Sequence, residues 1–174
     1  MRKGRSYMLK IGDNVLYGAS GVMTITDIRE ETVGDTLRSY YVLRPTLSRL
    51  ESLTFVPTDN ERLVSYMRPL MNGEELLALL RSADKVEPLD WIPENRARQE
   101  YFKRVMESGD RRSIVAMINT IDECGRRREA EGKKNFISDE NLRHKAIKLL
   151  YSELAVAFGV AEETVPTLVR GEDN

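Results

Sequence analysis

The spacing of apolar residues divides the chain near residue 70, with a strand-like pattern before that point and a helical one after it. Residues 22–28 alternate between two sides, which is the period of a β-strand. Short apolar runs at 15–17, 37–43 and 53–56 end at glycine- or proline-containing turns and predict three more strands. Residues 63–67 are a candidate fifth strand. Short, closely spaced strands of this kind predict a small antiparallel barrel whose edges bind partners.

Helical signals begin at Asn72, which together with Glu75 has the form of an N-terminal capping box. Residues 82–89 have the composition of a linker. Two long apolar-periodic segments follow, and we expect Asp110 and Ser138 to cap them. The sequence therefore predicts an α+β chain, in which a small β-barrel precedes a bundle of about five helices.

Between the linker and the long helices, a further helix is predicted to open at Trp91, with Pro93 in its first turn. Ala97, Tyr101 and Val105 recur every four residues, with Phe102 and Met106 beside them, and predict the buried face of this helix. The neighbouring cations fall off that face: Arg96, Arg98 and Lys103. A large apolar ring followed by cations suits a phosphate-bearing partner, although packing between two domains would also explain the tryptophan.

Composition places the chain among well-folded proteins, with 174 residues, 41% of them apolar and 32% charged. No apolar run approaches the ~20 residues that span a bilayer, and the basic N-terminus lacks the apolar core of an export signal. The single cysteine, Cys124, excludes an internal disulfide and fits a reducing cytoplasm. One cysteine and one histidine, His144, cannot build a zinc site alone, so we predict no metal and no other cofactor.

The net charge of −1 conceals an uneven distribution. Residues 96–148 hold 14 Lys and Arg against 9 Asp and Glu, whereas residues 159–174 hold one Arg against four acids. A basic helical segment in a neutral chain indicates a local polyanion site, although a solvated helical surface would show the same charges. No glycine precedes Gly132 at the spacing of a phosphate-binding loop, and no catalytic constellation is present, so the chain is not predicted to be an enzyme.

Several stretches of the strand region together resemble the N-terminal module of the CarD/CdnL transcription regulators, which also occurs in the transcription-repair coupling factor. In order they are residues 10–17 (KIGDNVLY), 21–22 (GV), 39–43 (SYYVL), 53–57 (LTFVP), Asn60 and 68–70 (RPL). The resemblance implies a Tudor-like barrel that binds the β subunit of bacterial RNA polymerase. It also implies a non-enzymatic protein, which we expect to be monomeric.

Two positions depart from the family pattern within this module. Some members carry arginines in the second and fourth strands that face the polymerase, and the corresponding positions here hold Glu31 and Phe55. Arg29, Arg38 and Arg44 are candidates to replace the missing charges. The residues that we expect at the polymerase contact are Arg29, Glu31, Arg44 and Phe55.

The resemblance continues into the helical half of the chain. A tryptophan at a helix start, a basic residue five positions later and Ser108-Gly109-Asp110 match the family's C-terminal domain. In that family the tryptophan inserts into the minor groove at the upstream edge of the promoter bubble, which implies the same role for Trp91. Such a wedge costs a few kcal/mol of unstacking and gains roughly 1–3 kcal/mol of stacking. The residues expected to contact promoter DNA are Trp91, Arg96, Arg98, Arg104, Lys133, Lys134 and Lys145.

The predicted organisation has three parts: a polymerase-interacting domain at 1–70 with a flexible tail at 1–7, a connecting helix and linker at 71–90, and a helical DNA-binding domain at 91–174. Two other functions remain open. Residues 152–165 resemble a helix-turn-helix, which would make the chain a sequence-specific DNA-binding regulator. A protein adaptor whose helices touch no nucleic acid is the third possibility.

Overall fold

Five antiparallel strands form an open sheet in the computed structural model, which describes residues 9–48 and 52–171. The strands are β1 (Asn14–Tyr17), β2 (Val22–Val33), β3 (Thr36–Pro45), β4 (Thr54–Pro57) and β5 (Met67–Pro69). Their order across the sheet is β4-β3-β2-β1-β5, which makes β4 and β5 the edges. The α+β class and the antiparallel strands are confirmed, but the sheet is open where the sequence predicted a closed barrel. The flexible tail predicted at residues 1–7 lies outside the described residues.

The hairpin of β2 and β3 extends well beyond the two strands that the sequence predicted. Its pairing continues to Val33 opposite Thr36, with one irregularity between Ile25 and Asp27. Gly34 turns the chain at φ +65°, a conformation that favours glycine. The prediction stopped at residue 28 because the distal residues of β2 are exposed and polar, so their alternation carries no buried face.

The strand predicted at residues 63–67 is wrong over most of its length. The Asn60 side chain accepts a hydrogen bond from the Leu63 backbone N–H at 3.1 Å and begins a one-turn helix, α1 (Glu61–Val64). The edge strand β5 therefore starts only at Met67.

Successive residues of a strand point to opposite sides of the sheet, and its two faces pack against different parts of the molecule. One face buries a small apolar core that includes Val15, Met23 and Leu43. The other face carries Leu16 and Val22, which lie opposite each other in β1 and β2 and pack into the core of the helices. The helices thus cover one end of this second face.

Five further helices follow the sheet: α2 (Gly73–Arg81), α3 (Asn95–Ser108), α4 (Arg111–Ala130), α5 (Ile137–Phe158) and α6 (Val165–Arg170). The predicted caps at Asn72 and Asp110 accept hydrogen bonds from the first-turn backbone N–H groups of α2 and α4. Ser138 does not cap α5, because that helix begins at Ile137 with Phe136 in the capping position. None of the described helices is both long and apolar enough to cross a bilayer.

A buried ion pair joins the end of the sheet to the helices. Glu153 of α5 is fully buried, and its Oε1 accepts the Met71 backbone N–H at 2.7 Å and an Arg111 Nη2 hydrogen bond at 2.5 Å. The same Nη2 group of Arg111 donates to the Pro69 carbonyl oxygen at 2.9 Å. The carboxylate and guanidinium therefore connect the last residue of β5, the start of α4 and the C-terminal part of α5.

Candidate functional site

Trp91 lies in the irregular segment before α3 and not at a helix start as the sequence predicted. The helix begins at Asn95 because the carboxylate of Glu94 accepts hydrogen bonds from the Arg96 and Ala97 backbone N–H groups. These two bonds, with that from Ala97 the stronger, lower the pKa of Glu94 below its ordinary value of 4.5. Trp91 is half-buried, so its indole is neither sealed in the core nor free in solvent.

The indole of Trp91 packs against two side chains of the helical region. Its ring lies 6.3 Å from the ring of Phe136, centroid to centroid, with 23° between their planes. The Arg98 guanidinium carbon is 4.3 Å from the Trp91 centroid and 4.9 Å from that of Phe136. The guanidinium therefore contacts both rings, which is a favourable cation–π geometry.

Arg98 is fully buried and cannot contact a DNA phosphate, which corrects its place among the predicted DNA-binding residues. Its Nε group donates to both Asp139 carboxylate oxygens at 3.2–3.3 Å, and Nη2 lies 3.1 Å from Asp139 Oδ2. Its Nη1 group donates to the carbonyl oxygens of Ile92 and Pro93 at 2.9 and 3.2 Å. Nη2 also donates to Asn95 Oδ1 at 2.9 Å. All three guanidinium nitrogens of Arg98 therefore donate hydrogen bonds to groups of the protein itself.

A second arginine, Arg128 near the end of α4, extends the aromatic stack. Its guanidinium carbon lies 4.0 Å from the Phe136 centroid, and its Nε donates to the Lys134 carbonyl oxygen at 2.9 Å. We call Trp91, Arg98, Arg128, Phe136 and Asp139 the tryptophan cluster. Four segments meet in it: the irregular segment before α3, the first turn of α3, the end of α4 and the start of α5.

The end of α4 and the loop that follows it bring further positive charge to the tryptophan cluster. Residues 126–134 contain five Lys and Arg against two Glu, and Lys133 and Lys134 are both exposed. Lys133 Nζ binds Glu131 Oε2 at 2.6 Å, and this hydrogen bond lowers the pKa of Glu131. An exposed pair of this kind is weak, so the lysine can exchange its partner for a phosphate.

The remaining predicted DNA contacts are exposed but do not join the cluster. Arg96 is paired with Glu100 at 3.3 Å on the outer side of α3. Arg104 and Lys145 lie about 13 and 12 Å along α3 and α5 from the helix starts beside Trp91, at 1.5 Å per residue.

The four residues predicted at the polymerase contact lie on one face of the sheet. Arg29 stands opposite Tyr40, Phe55 opposite Val42, and the alternation of β2 and β3 places Glu31 and Arg44 on the same side. We call Arg29, Glu31, Tyr40, Arg44 and Phe55 the charged sheet face. It is continuous with the face that carries Leu16 and Val22, beyond the area that the helices cover.

Within the charged sheet face, Arg29 contacts both residues that depart from the family pattern, Glu31 and Phe55. Arg29 Nε lies 3.0 Å from Glu31 Oε1, and its guanidinium carbon is 4.9 Å from the Phe55 ring centroid. Tyr40 meets the same ring edge-on at 6.3 Å. Phe55 is 40% exposed, which leaves much of a large apolar ring in solvent.

The helix-turn-helix suggested at residues 152–165 lacks a usable second helix. The segment after Gly159 contains a single turn at Glu162–Thr164 and then α6, which has six residues. Val165 at the start of α6 is fully buried, and Arg81 of α2 donates to the Leu168 carbonyl oxygen at 2.8 Å. These contacts hold α6 against α2, so it closes the helical region and does not present a recognition helix.

Phe136, Arg128 and Asp139 are the members of the tryptophan cluster that sequence reasoning missed. The buried face of α3 comprises Arg98, Phe102, Val105 and Met106, so the prediction is confirmed at the last three, whereas Ala97 is exposed and Arg98 takes its place in the core. Arg98 lies four residues before Phe102, a spacing that places it on the buried face. That position was the one available sign of its burial.

Comparison with known proteins identifies the first part of the chain. Residues 9–71 match the family model of the CarD-like/TRCF RID domain, an RNA polymerase-interacting domain, which places the chain among transcription-related, polymerase-binding proteins. The match bears out, for this part of the chain, the resemblance to CarD-like proteins that the strand-region residues predicted. The match covers the whole sheet and ends just before α2. A search of curated proteins found no match to the chain.

Proposed function

We propose that this chain is a transcription regulator that binds the β subunit of bacterial RNA polymerase and holds Trp91 against promoter DNA at the upstream edge of the bubble. In this proposal the chain acts as a cytoplasmic monomer and modulates open-complex stability without catalysis. Residues 1–70 provide the polymerase contact, 71–90 the connection and 91–174 the DNA contact. The observation that carries the DNA contact is the half-buried indole, fixed beside a cationic loop in a chain with a polymerase-interacting domain.

The charged sheet face supports the polymerase half of the proposal. Phe55 offers an exposed aromatic ring of the kind that dominates binding energy at protein interfaces, and Arg29 and Glu31 flank it with opposite charges. A contact built on Phe55 and Arg29 depends less on net positive charge than one built on arginines alone. We therefore expect polymerase binding by this chain to weaken only modestly with salt.

The tryptophan cluster supports the DNA half of the proposal. An indole that is half-exposed can place its free edge between base steps while Arg98 and Phe136 hold the other side. Arg128, Lys133 and Lys134 supply cations within the same end of the helical region for the flanking phosphates. Phosphate contacts of this kind carry affinity without sequence preference.

In this proposal the chain affects initiation because it binds the open promoter complex more tightly than the closed one. A ligand shifts an equilibrium only by the difference between its affinities for the two states. The junction of melted and paired DNA offers an unstacked base step, which closed duplex does not. A wedge contribution of ~1–2 kcal/mol changes the open-complex population by roughly 5–30-fold.

The lifetime of the promoter open complex, measured with polymerase holoenzyme after a competitor challenge, tests this function. Trp91→Ala is expected to shorten the lifetime that the wild-type chain confers by roughly 5–30-fold. Tyr151→Ala, which removes a partly buried ring of the helical core away from the cluster, is the matched control. We expect it to keep the wild-type lifetime whenever it remains folded. An unchanged lifetime for folded, polymerase-bound Trp91→Ala would refute the DNA contact.

A further inference from the structure

We infer that the buried Arg98–Asp139 pair and Thr120 are positioning residues that hold Trp91 in its DNA-binding pose. This inference rests on the proposed function and deepens it, because it assigns the orientation of the indole to three side chains that never reach DNA. The residues act through the irregular segment that carries Trp91.

The backbone on both sides of Trp91 is fixed by buried polar side chains from two helices. Before it, Thr120 of α4 is buried, accepts the Leu89 backbone N–H at 2.7 Å and lies 3.2 Å from the Leu89 carbonyl oxygen. After it, Arg98 of α3 donates to the carbonyl oxygens of Ile92 and Pro93. Trp91 therefore lies between two anchor points, and each anchor is a side chain inside the fold.

Stability alone does not account for the Arg98–Asp139 pair. Burying a guanidinium and a carboxylate has a large desolvation cost, and apolar residues of similar volume often stabilise a core as well or better. Here the guanidinium gives all its nitrogens to Asp139, Asn95 and the segment after Trp91. Its flat face also lies against the indole. The chemistry of arginine, with a planar fork and a stackable face, matches both tasks at once.

Asp139 completes the arrangement from the start of α5. Its carboxylate lies in the first turn of that helix, where negative charge is stabilised, and Gln99 Nε2 donates to Oδ1 at 2.5 Å. Asp139 thereby fixes Arg98 relative to Phe136, the ring that stacks on Trp91. An indole held in one pose loses little conformational freedom when it enters DNA, and such preorganisation raises affinity.

Fluorescence reports directly on this arrangement, because Trp91 is the only tryptophan in the chain. We expect Arg98→Lys, which keeps the charge and loses the fork, to shift the emission to longer wavelength and to increase quenching by acrylamide. Thr120→Val keeps the shape of the side chain but removes the hydroxyl that binds the Leu89 backbone. It should also shift the emission to longer wavelength and increase quenching. In the open-complex assay with polymerase holoenzyme, both variants should lose about fivefold in lifetime.

Arg143→Lys is the matched control, since Arg143 also pairs with an aspartate, Asp122, across α4 and α5 but does not touch the cluster. It should keep the wild-type emission, quenching and lifetime. If Arg98→Lys does not fold, Thr120→Val carries the test alone. In a Trp91→Ala background, Thr120→Val should cause no further loss of lifetime, because the anchor then has no indole to position. A general structural defect would add to that of Trp91→Ala.

The outcomes separate this inference from the function on which it rests. If Trp91→Ala shortens the lifetime while folded Arg98→Lys and Thr120→Val match wild type, the positioning role is overturned and the function stands. Unchanged emission and quenching in both variants would also overturn it. If Trp91→Ala leaves the lifetime unchanged, the DNA contact fails and the positioning role fails with it.

Discussion

Two arginines of the basic helical segment, Arg98 and Arg128, differ in burial. Arg98 is buried against Asp139, whereas Arg128 is partly exposed, with its guanidinium carbon over the Phe136 ring and its Nε donating to the Lys134 carbonyl oxygen. Both stack on the same aromatic ring, but only Arg128 is placed to reach a phosphate. Charge counting along the chain cannot make this distinction, because the carboxylate that buries Arg98 lies 41 residues away.

Removal of the Arg128 side chain should weaken DNA binding in a salt-dependent way. For Arg128→Ala we expect lower affinity for a fork-junction DNA and a reduction of about one in the slope of log K against log salt, since one phosphate contact is lost. Lys10→Ala removes an equal charge from an exposed position in the segment before β1 and should leave the slope unchanged. An unaltered slope for Arg128→Ala would exclude it from the phosphate contacts.

The exposed ring of Phe55 should dominate the polymerase contact. Phe55→Ala is expected to weaken binding to an isolated polymerase β lobe by about tenfold, the loss typical of a buried interface aromatic. Leu37→Ala is the matched control, because Leu37 is also exposed and apolar but lies on the opposite face of β3. Equal effects of the two changes, measured by titration calorimetry, would contradict a contact through the charged sheet face.

At the scale of elements, the start of α3 depends on an ionised glutamate. The backbone N–H groups that lower the pKa of Glu94 stabilise its charged form in the folded state. A depressed folded pKa gives stability that is fully present above the unfolded pKa and is lost as pH falls through the folded value. Glu94→Gln should therefore be less stable than wild type near pH 7, and the difference should shrink progressively below about pH 4.5.

Urea denaturation of the two proteins across this pH range checks the prediction. Glu87→Gln, an exposed glutamate in the segment after α2, is the control and should follow the wild-type pH profile. A Glu94→Gln deficit that stayed constant down to pH 3 would show that the carboxylate charge does not contribute to capping.

Helix starts could be predicted from the sequence where the capping residue lies next to the helix. Contacts between residues far apart in the chain could not be predicted. Asn72 and Asp110 mark helix starts because a cap needs only the next three residues. Trp91 was placed at a helix start because Pro93 favours a first turn, yet Glu94 provides the cap. In the candidate site, Trp91 and the loop lysines could be predicted, whereas the buried Arg98–Asp139 pair depends on the packing of α3 against α5.

At the scale of the whole molecule, the sheet and the helices share one core. Leu16 and Val22 of the sheet belong to the same buried cluster as Leu76, Phe102 and Leu150 of the helices. The segment at 71–90 contributes to that cluster through α2 and Val86, so most of it is part of the helical core. This continuity sets a fixed separation between the charged sheet face and the tryptophan cluster.

Glu153→Gln tests whether that continuity depends on the ion pair between the sheet and the helices. The change keeps the volume of the side chain but leaves the Arg111 guanidinium, most of which is buried, without its counter-charge. We expect a loss of about 3–5 kcal/mol in the free energy of unfolding. Native-state hydrogen exchange should show this loss equally at Ile25 in the sheet and Leu150 in α5, because Ile25 lies in β2, the strand whose Val22 belongs to the core shared with the helices.

Asp122→Asn is the control for Glu153→Gln, since its pair with Arg143 is partly exposed and lies within the helices. Its effect should be at most about 1 kcal/mol. If Glu153→Gln lowers protection in α5 while Ile25 keeps wild-type protection, the sheet unfolds independently of the helices. The polymerase contact and the indole would then be joined by a movable connection. The distance between them would not be fixed, and binding to polymerase would not by itself place Trp91 at the edge of the bubble.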